Sequence, residues 1–523
     1  EEDSSSKQLM RLAPHTGCVA AVVVVVWGCV AFSSDSRLGP RRRPSRLCAS
    51  AVDETRMAQQ IPEAVSWCVA HGAMYALPAA DMEALGESYV KGGAFAHAPF
   101  ALAPFPWPRR EFEKVKRLQP TLNRVVDRVS RDGAWLETTL AETVRSDAFT
   151  ARLWRVYKEC PNPQSLRLGL LRSDYMLDQK KDDEQARSLQ VEINTIASSF
   201  GCLSQTISEL HAFLAAKKSD SSEVEPNDAG RGLARGIAAA HEAFLAQRSL
   251  TKATAVMVVQ PNERNQMDQR KLEHWLWEDA KVPMKRMTLA EIADNDGLDA
   301  VDGLPVSVCY FRAGYGPGDY PSDSEWRARE LIERSHAVKC PSASYQLVGT
   351  KKVQQALAAP GALERFLHDS DASSSEDVRS LFAGLFDLDE AAAGAEKAVA
   401  KALETPHAYV LKPQREGGGN NLYDDDLVAA LKTMTPAERA SFILMERIVS
   451  KPKPGTLVRN AHPLSGDCVA ELGVYGAFLA DDQQERLNAV TGHLLRQKIT
   501  GTNEGGVAAG FAVLSSPLLL DDD

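Results

Sequence analysis

The stretch from Lys412 to Tyr423 reads KPQREGGGNNLY and follows directly on a short apolar run, Ala408 to Leu411. That run has the length and make-up of a buried strand. Gly417, Gly418 and Gly419 free the backbone to take positive φ and to bring successive N–H groups towards an anion. Lys412 and Arg415 flank them, and Glu416 offers an oxygen able to hold a magnesium ion beside phosphates. Three glycines alone more often make a flexible linker. A strand that runs through a cation into a glycine loop points instead to a site for a nucleoside triphosphate.

The rest of the composition narrows what can surround such a loop. At 523 residues the chain is long enough for two or three structural units. Hydrophobic residues make up 44% and charged residues 25%, as in ordinary globular proteins. The formal charge is -10 and the body of the chain has no concentrated basic face, so nucleic-acid binding is not expected. The nine cysteines, at 18, 29, 48, 68, 160, 202, 309, 340 and 468, form no CxxC pair and no Cys/His cluster at zinc spacing. An odd, scattered set fits a reducing compartment better than a disulfide framework.

The first 56 residues read as a targeting leader. Cys18 to Phe32 is intensely apolar but 15 residues long, shorter than the roughly 20 residues a membrane-spanning helix needs. It has the character of a signal-peptide core, with Met10-Arg11 as a natural start and Glu1 to Leu9 as overhang. Between Ser36 and Ser50 there are five arginines and no acid, as in an organelle transit peptide. The two parts in tandem, with Ala31-Phe32 at the junction, resemble the plastid address of algae with secondary plastids. A secreted protein or a simple membrane anchor is the alternative for the leader, and a cytoplasmic location the alternative for the mature chain. No stable membrane association is expected once the leader is removed.

From Met57 to Lys158 the pattern is mainly helical. Phe112, Val115, Leu118, Leu122, Val125, Val126 and Val129 recur at three- and four-residue spacing, and Pro99 to Pro108 reads as a loop before them. Strands follow. Leu189, Val191 and Ile193 alternate with Gln190, Glu192 and Asn194, so the polar three are expected on one face. Ala253 to Val259, Val306 to Phe311, Phe442 to Leu444 and Val469 to Phe478 read as further strands, and Lys217 to Arg231 and Asp369 to Asp377 as linkers. The class is mixed α/β, or α+β, with helices concentrated towards the N-terminal half and no internal repeat.

Four clusters carry candidate chemistry. Glu192 and Asn194 give two oxygen ligands on one strand face, or else a solvated face. Arg172 and Arg312 each follow an apolar run, where arginine makes a good carboxylate clamp or an ordinary ion pair. Glu263, Arg264, Asn265 and Gln269 crowd one loop, which is either a site or a plain connection. Gly492 to Lys498 followed by Glu504 to Gly510 puts a second glycine-rich loop beside two cations, as a lid over an anion or as a turn.

In this order along the chain the sequence closely resembles eukaryotic-type glutathione synthetase, an ATP-grasp ligase. The shared segments are RSDYM (Arg172 to Met176), EINTI (Glu192 to Ile196), ERN (Glu263 to Asn265) with Gln269, and YFR (Tyr310 to Arg312). They continue with ERSHAVKCP from Glu333, GTKKVQQ from Gly349, LKPQREGGGNNLY from Leu411, ILME from Ile443, GHLLR from Gly492 and GGVAAG from Gly505. The likeness runs from about Met57 to the end. It implies an ATP-grasp fold with a helical N-terminal part, in which residues 57–253 and 353–523 form the catalytic unit and 254–352 an inserted, smaller α/β substrate-binding domain. It also implies ligation of γ-glutamylcysteine with glycine at the expense of ATP through an acyl phosphate, a magnesium cofactor and a homodimer.

Residue by residue, the resemblance implies magnesium on Glu192, Asn194 and Glu416. It implies catalytic roles for Arg496, Lys412, Gly417 and Gly418. The nucleotide would be surrounded by Lys351, Lys412, Pro413, Gln414, Arg415, Glu416, Gly417, Gly418, Gly419, Asn420, Asn421, Tyr423, Met445, Glu446, Arg447, Ile448, Glu471, Lys498 and Glu504. The peptide would meet Arg172, Ser198, Ser199, Glu263, Arg264, Asn265, Gln269, Arg312, Ala313, Gly314, Tyr315, Arg496, Val507 and Ala508. Four positions depart from the family pattern: Ala197 for a common serine, Ala313 for an aspartate, Glu504 for an aspartate and Arg447 for a lysine. Two other readings remain beside this one: a homoglutathione-type ligase that accepts β-alanine, and a catalytically silent protein that binds ATP and a thiol peptide.

Overall fold

The computed structural model describes residues 59–77, 94–179, 185–217, 224–368, 371, 373–390, 392, 394–414, 420–502, 505–507 and 510–521. The leader lies outside the described residues, as do Arg415 to Gly419, Glu504 and Ala508. No helix among the described residues is long and apolar enough to cross a membrane.

The three-and-four spacing of apolar residues becomes the helix Arg109–Arg131, with all seven expected positions buried. Two shorter helices follow, Gly133–Ser146 and Ala148–Glu159. Each is N-capped by an aspartate, since Asp132 accepts from the Trp135 N–H and Asp147 from the Thr150 N–H. The segment ahead of them departs from expectation. A hairpin, Met74–Ala76 with Phe95–His97, precedes the Pro-rich piece, and that piece contains two short strands, Phe100–Ala101 and Phe105–Pro108. Phe105–Pro108 pairs in parallel with Pro517–Leu520 in a two-stranded sheet. Each strand there keeps an open edge, which is where proline is tolerated.

The largest sheet has seven strands in the order Lys453–Arg459, Phe100–Ala101, Val513–Ser515, Glu485–Ile499, His462–Ala480, Arg167–Asp178, Arg187–Asn194. His462–Ala480 is 19 residues long. Its first part also pairs with Lys453–Arg459, which closes five of the strands into a ring. A second sheet, between residues 254 and 340, sets Val338–Cys340, Leu304–Phe311, Thr254–Val258 and Met284–Met287 in parallel, with Ala300–Val301 antiparallel at its margin. All five residues of Thr254–Val258 are buried, as expected of a parallel strand covered on both faces. A third, antiparallel sheet joins Leu385–Asp387, Phe442–Glu446 and Tyr409–Pro413 and has a small core of its own.

Strand alternation explains where the functional groups go. In Arg167–Asp178, Leu171 and Tyr175 join the core that includes the helix Arg109–Arg131. Leu168 and Leu170 join the core of the helices Gly201–Lys217 and Ala229–Arg248. Gly232 lets the latter helix lie close, since a Cβ there would sit 2.5 Å from Thr491 Cβ. Continuing along the Leu168–Leu170 face, the next residues are Arg172 and Asp174. The registers put Gly473 opposite Asp174 and Arg496 opposite Glu471 on that same face. The face therefore changes from core to polar floor part-way along its strands.

One expectation is corrected here. Glu192 lies opposite Asp174 and Gln190 opposite Tyr175, so the strand carries a bulge at Val191. Gln190 and Ile193 line a small cavity against Leu122 and Val125, whereas Glu192 and Asn194 face the large one. The extra residue moves Gln190 off the face of the other two.

Candidate functional site

The polar floor opens into a cavity of about 770 Å³, a size typical of small-molecule sites. Its walls come from the floor strands, from Val410 and Lys412 on the third sheet, from residues 445–450, and from the loops behind two parallel strands (260–265 and 312–315). Residues 500–502 and 505–507 complete them.

At the centre of the floor, Asp174 is fully buried and gathers its neighbours. Arg172 donates Nε to Oδ1 at 2.6 Å and Nη2 to Oδ2 at 2.8 Å. Asn194 Nδ2 donates to Oδ2 at 3.0 Å, and Arg496 Nη2 donates to Oδ2 at 2.9 Å. Arg496 also pairs with Glu471. Gly473 makes this packing possible, since a Cβ there would stand 2.7 Å from Asp174 Oδ1 and 2.8 Å from Arg172 Cδ. Next to this group Lys351 Nζ sits 2.8 Å from Glu192 Oε2, and Lys412 Nζ donates to the Val191 carbonyl at 3.0 Å.

Burial pushes the Glu192 carboxyl upward, but the charges of Lys351, Lys412 and Arg496 and the hydrogen bond from Lys351 outweigh it and hold its pKa well below the usual range. For Glu471 burial wins. Asp174 and Glu192 add to it, against Arg496 and Lys498, and the pKa is raised. Two acids on one floor are thus driven apart by their neighbours. Among the described residues no group of three or more His, Cys, Asp or Glu side chains is arranged to hold a metal. Glu192 and Asn194 nonetheless put two hard oxygens on the floor beside several cations. That set fits a divalent ion whose remaining ligands are water and phosphate oxygens.

A second cluster closes the far end. Arg312 is buried and donates Nη1 to Asp268 Oδ2 at 3.1 Å. Asp268 also accepts the N–H groups of Phe200, Cys202 and Leu203 at 2.9 to 3.1 Å, capping the helix Gly201–Lys217. Glu263 accepts from the Asn265 N–H and from Gln269 Nε2, both at 2.7 Å. Arg312 Nε, Gln269 Oε1 and both polar atoms of the Asn265 side chain are buried without a protein partner. Orphaned donors and acceptors beside a cavity are what a polar ligand would satisfy. Gly314 and Tyr315 are held by Asp319, which accepts both of their N–H groups.

On another wall, Arg447 lies over the Tyr423 ring at 5.3 Å and its backbone N–H donates to the Ala408 carbonyl. The Val449 N–H donates to Asp178 Oδ1 and Ser450 Oγ to the Leu177 carbonyl, which anchors the 445–450 segment to the floor sheet.

The cavity brings together most of the residues singled out from the sequence. Arg172, Glu192, Asn194, Ser199, Glu263, Arg264, Asn265, Arg312, Tyr315, Lys351 and Lys412 line it. So do Asn420, Asn421, Tyr423, Met445, Glu446, Arg447, Ile448, Glu471, Arg496, Lys498 and Val507. Ser198 is instead buried, with Oγ donating to the Leu170 carbonyl. Gln269 stands behind Glu263, and Gln414 Oε1 accepts from the Lys352 N–H. Ala313, Gly314 and Pro413 shape the backbone without lining the cavity. Sequence reasoning passed over Asp174 and Asp268, although each lies within two residues of a residue it had chosen. It also missed Tyr75, Gln260 and His407 on the wall. Asp174 stands two residues from Arg172 on a strand, which alone places both on one face.

A sequence model described as "Eukaryotic glutathione synthase, ATP binding domain" matches residues 54–519. The chloroplastic glutathione synthetase of Solanum lycopersicum is 40% identical over 485 residues, 90% of this chain and 85% of that protein. The Homo sapiens glutathione synthetase is 41% identical over 435 residues, 81% of this chain and 90% of that one. Among solved structures, a glutathione synthetase-like effector of Globodera pallida in apo form has a TM-score of 0.69 at 22% identity, covering 89% of this chain and 97% of that one; this likeness concerns the fold. With a match across nearly its whole length and close relatives covered almost end to end, the chain belongs to the eukaryotic glutathione synthetase family.

Proposed function

We propose that this protein is an ATP-dependent carbon–nitrogen ligase that joins glycine to the cysteinyl carboxylate of γ-glutamylcysteine, giving glutathione, ADP and phosphate. The observation that carries the reading is the single cavity into which Glu192, Lys351, Lys412 and Arg496 converge at one end and Arg312, Glu263 and Asn265 at the other. The first group suits polyphosphate and developing charge, and the second suits an amino-acid-like end with a carboxylate.

Amide formation in water needs an activated acyl group. The peptide carboxylate attacks the terminal phosphorus of ATP and ADP leaves. The glycine amine then adds to the acyl phosphate, the C–O bond to phosphate breaks, and the amine gives up its proton. Neither step calls for a protein nucleophile, so the chain's contribution is orientation and charge neutralisation. Lys351 and Lys412 serve the phosphates, Lys498 the rest of the nucleotide and Arg496 the reacting carboxyl. Arg312 and Arg172 hold the peptide. Glu192, Asn194 and, outside the described residues, Glu416 would hold magnesium. The ion, when bound, neutralises phosphate charge.

On this reading residues 254–352 form a substrate-binding domain inserted in an ATP-grasp unit, and the protein works as a homodimer. The names of the plant relatives and the two-part leader support a plastid location. The test is ADP release by the purified protein with magnesium, ATP and γ-glutamylcysteine, offered glycine or β-alanine in parallel. Glycine-dependent release with glutathione as product is expected. Preference for β-alanine, or no release from folded protein that binds ATP, would overturn the reading.

A further inference from the structure

We propose that Asp174 is the positioning residue of the site: one buried carboxylate fixes the orientation of Arg172, Asn194 and Arg496 together, and through Asn194 it governs how well the floor holds a divalent cation. This rests on the ligase reading, in which Asn194 and Arg496 serve the metal and the reacting carboxyl.

The geometry leaves Asp174 little other work. It is fully buried on a strand whose neighbours on the same face are the site's own residues, and its two oxygens take four hydrogen bonds from three side chains. Arg172 occupies both oxygens in a two-point contact, the arrangement that locks a guanidinium plane. Asn194 is directed by the same acid. With Nδ2 spent on Asp174 Oδ2, its Oδ1 is the atom left for a cation, so the acid sets which way the amide points. Such an outer partner tunes a ligand's affinity for metal by roughly 10- to 100-fold. Arg496 divides Nη2 between Asp174 and Glu471 and is thereby held across the floor. No part of this requires Asp174 to touch a substrate. It acts through the three side chains it orients.

Two substitutions probe the role from different sides. Asp174→Asn keeps the shape and removes the charge. Gly473→Ala removes nothing, but places a Cβ 2.7 Å from Asp174 Oδ1 and 2.8 Å from Arg172 Cδ, and so shifts the carboxylate and the guanidinium it holds from across the strand pair. The full chain is used, and calorimetry gives the affinity for a non-hydrolysable ATP analogue with and without magnesium, beside kcat. Both variants are expected to lower kcat by about 30-fold or more. They are also expected to cut the affinity gain that magnesium confers on the analogue by about 10-fold, with binding of the metal-free analogue within about threefold of wild type. Asp174→Glu, which restores the charge, should recover part of both losses. If Asp174→Asn does not fold, Gly473→Ala and Asp174→Glu carry the same readouts. Wild-type magnesium gain in the folded variants, whether kcat falls or not, would overturn the proposal. An inactive wild-type protein would instead overturn the ligase reading beneath it.

Discussion

Arg312 follows the strand Leu304–Phe311 with its side chain almost wholly buried, and its charge is accepted because Asp268 stands 3.1 Å away. Burial works against the protonated form, but nearby Tyr310, Asp268 and Glu263 reverse this and raise the pKa, so the group is a permanent cation at the cavity wall. Its Nε has no protein partner, which leaves a donor for a ligand carboxylate. Removing Arg312 is less disruptive than removing Asp268, because Asp268 would still accept three backbone N–H groups at the start of the helix Gly201–Lys217. We therefore predict that Arg312→Ala leaves a folded protein and raises the KM for γ-glutamylcysteine by about 100-fold, the cost of a lost charge-assisted contact. The KM for ATP should move by less than about threefold. Steady-state kinetics with each substrate varied in turn gives the answer, and the opposite pattern would assign Arg312 to the nucleotide.

At the scale of elements, strands and the main amphipathic helix were legible because each has its own period. The bulge at Val191 was not, because it is set by pairing with Arg167–Asp178 and leaves no mark in the alternation of the strand itself. The proline-rich strands were missed for a related reason: what makes Phe105–Pro108 a strand is its partner Pro517–Leu520, some 400 residues on. The motif residues at the site were legible singly. Their junction was not, because Asp174 and Asp268 look like ordinary acids until the fold aims arginines at them. His493 gives a test of element packing. It sits in the strand Glu485–Ile499, buried edge-on against Phe112 of the helix Arg109–Arg131, with Nε2 unpartnered. Burial, reinforced by the charge of Lys116, lowers its pKa to about 3. Above pH ~6.5 both folded and unfolded histidine are neutral and the group is silent. As pH falls from there towards 3 the unfolded chain binds the proton first, so stability is lost across that window, on the order of a few kcal/mol by pH 3. His493→Gln should flatten this part of the acid limb in denaturant titrations at stepped pH. An unchanged slope between pH 6 and 4 would show that other groups control it.

Across the whole molecule, the cavity is walled by segments far apart in the chain: residues 172–176, 191–200, 469–471 and 496–502 on and beside the large sheet, 260–265 and 312–315 behind the parallel sheet, and 407–412, 420–423 and 445–450 on and beside the third. None of these walls is continuous in sequence, so no local fragment can offer the site and the unfolded chain cannot compete for the ligand. A ligand held only by the native state stabilises it by mass action, by about 2.7 kcal/mol at one hundred times its dissociation constant. On the proposed assignment, with the polyphosphate at Lys351 and Lys412 and the peptide at Arg312, the two ligands each contribute separately when their contacts do not overlap. Arg496, at the first end, is joined through Asp174 to Arg172, which is assigned to the peptide. We predict that a non-hydrolysable ATP analogue with magnesium and γ-glutamylcysteine each raise the unfolding midpoint by at least about 2 °C. Together they should raise it by more than the sum, because each orders the arginine that the other uses. Differential scanning fluorimetry with each ligand alone and with both decides this. A combined shift equal to the larger single one would mean that the two compete for one end of the cavity, and the division of the site into a phosphate end and a peptide end would have to be given up.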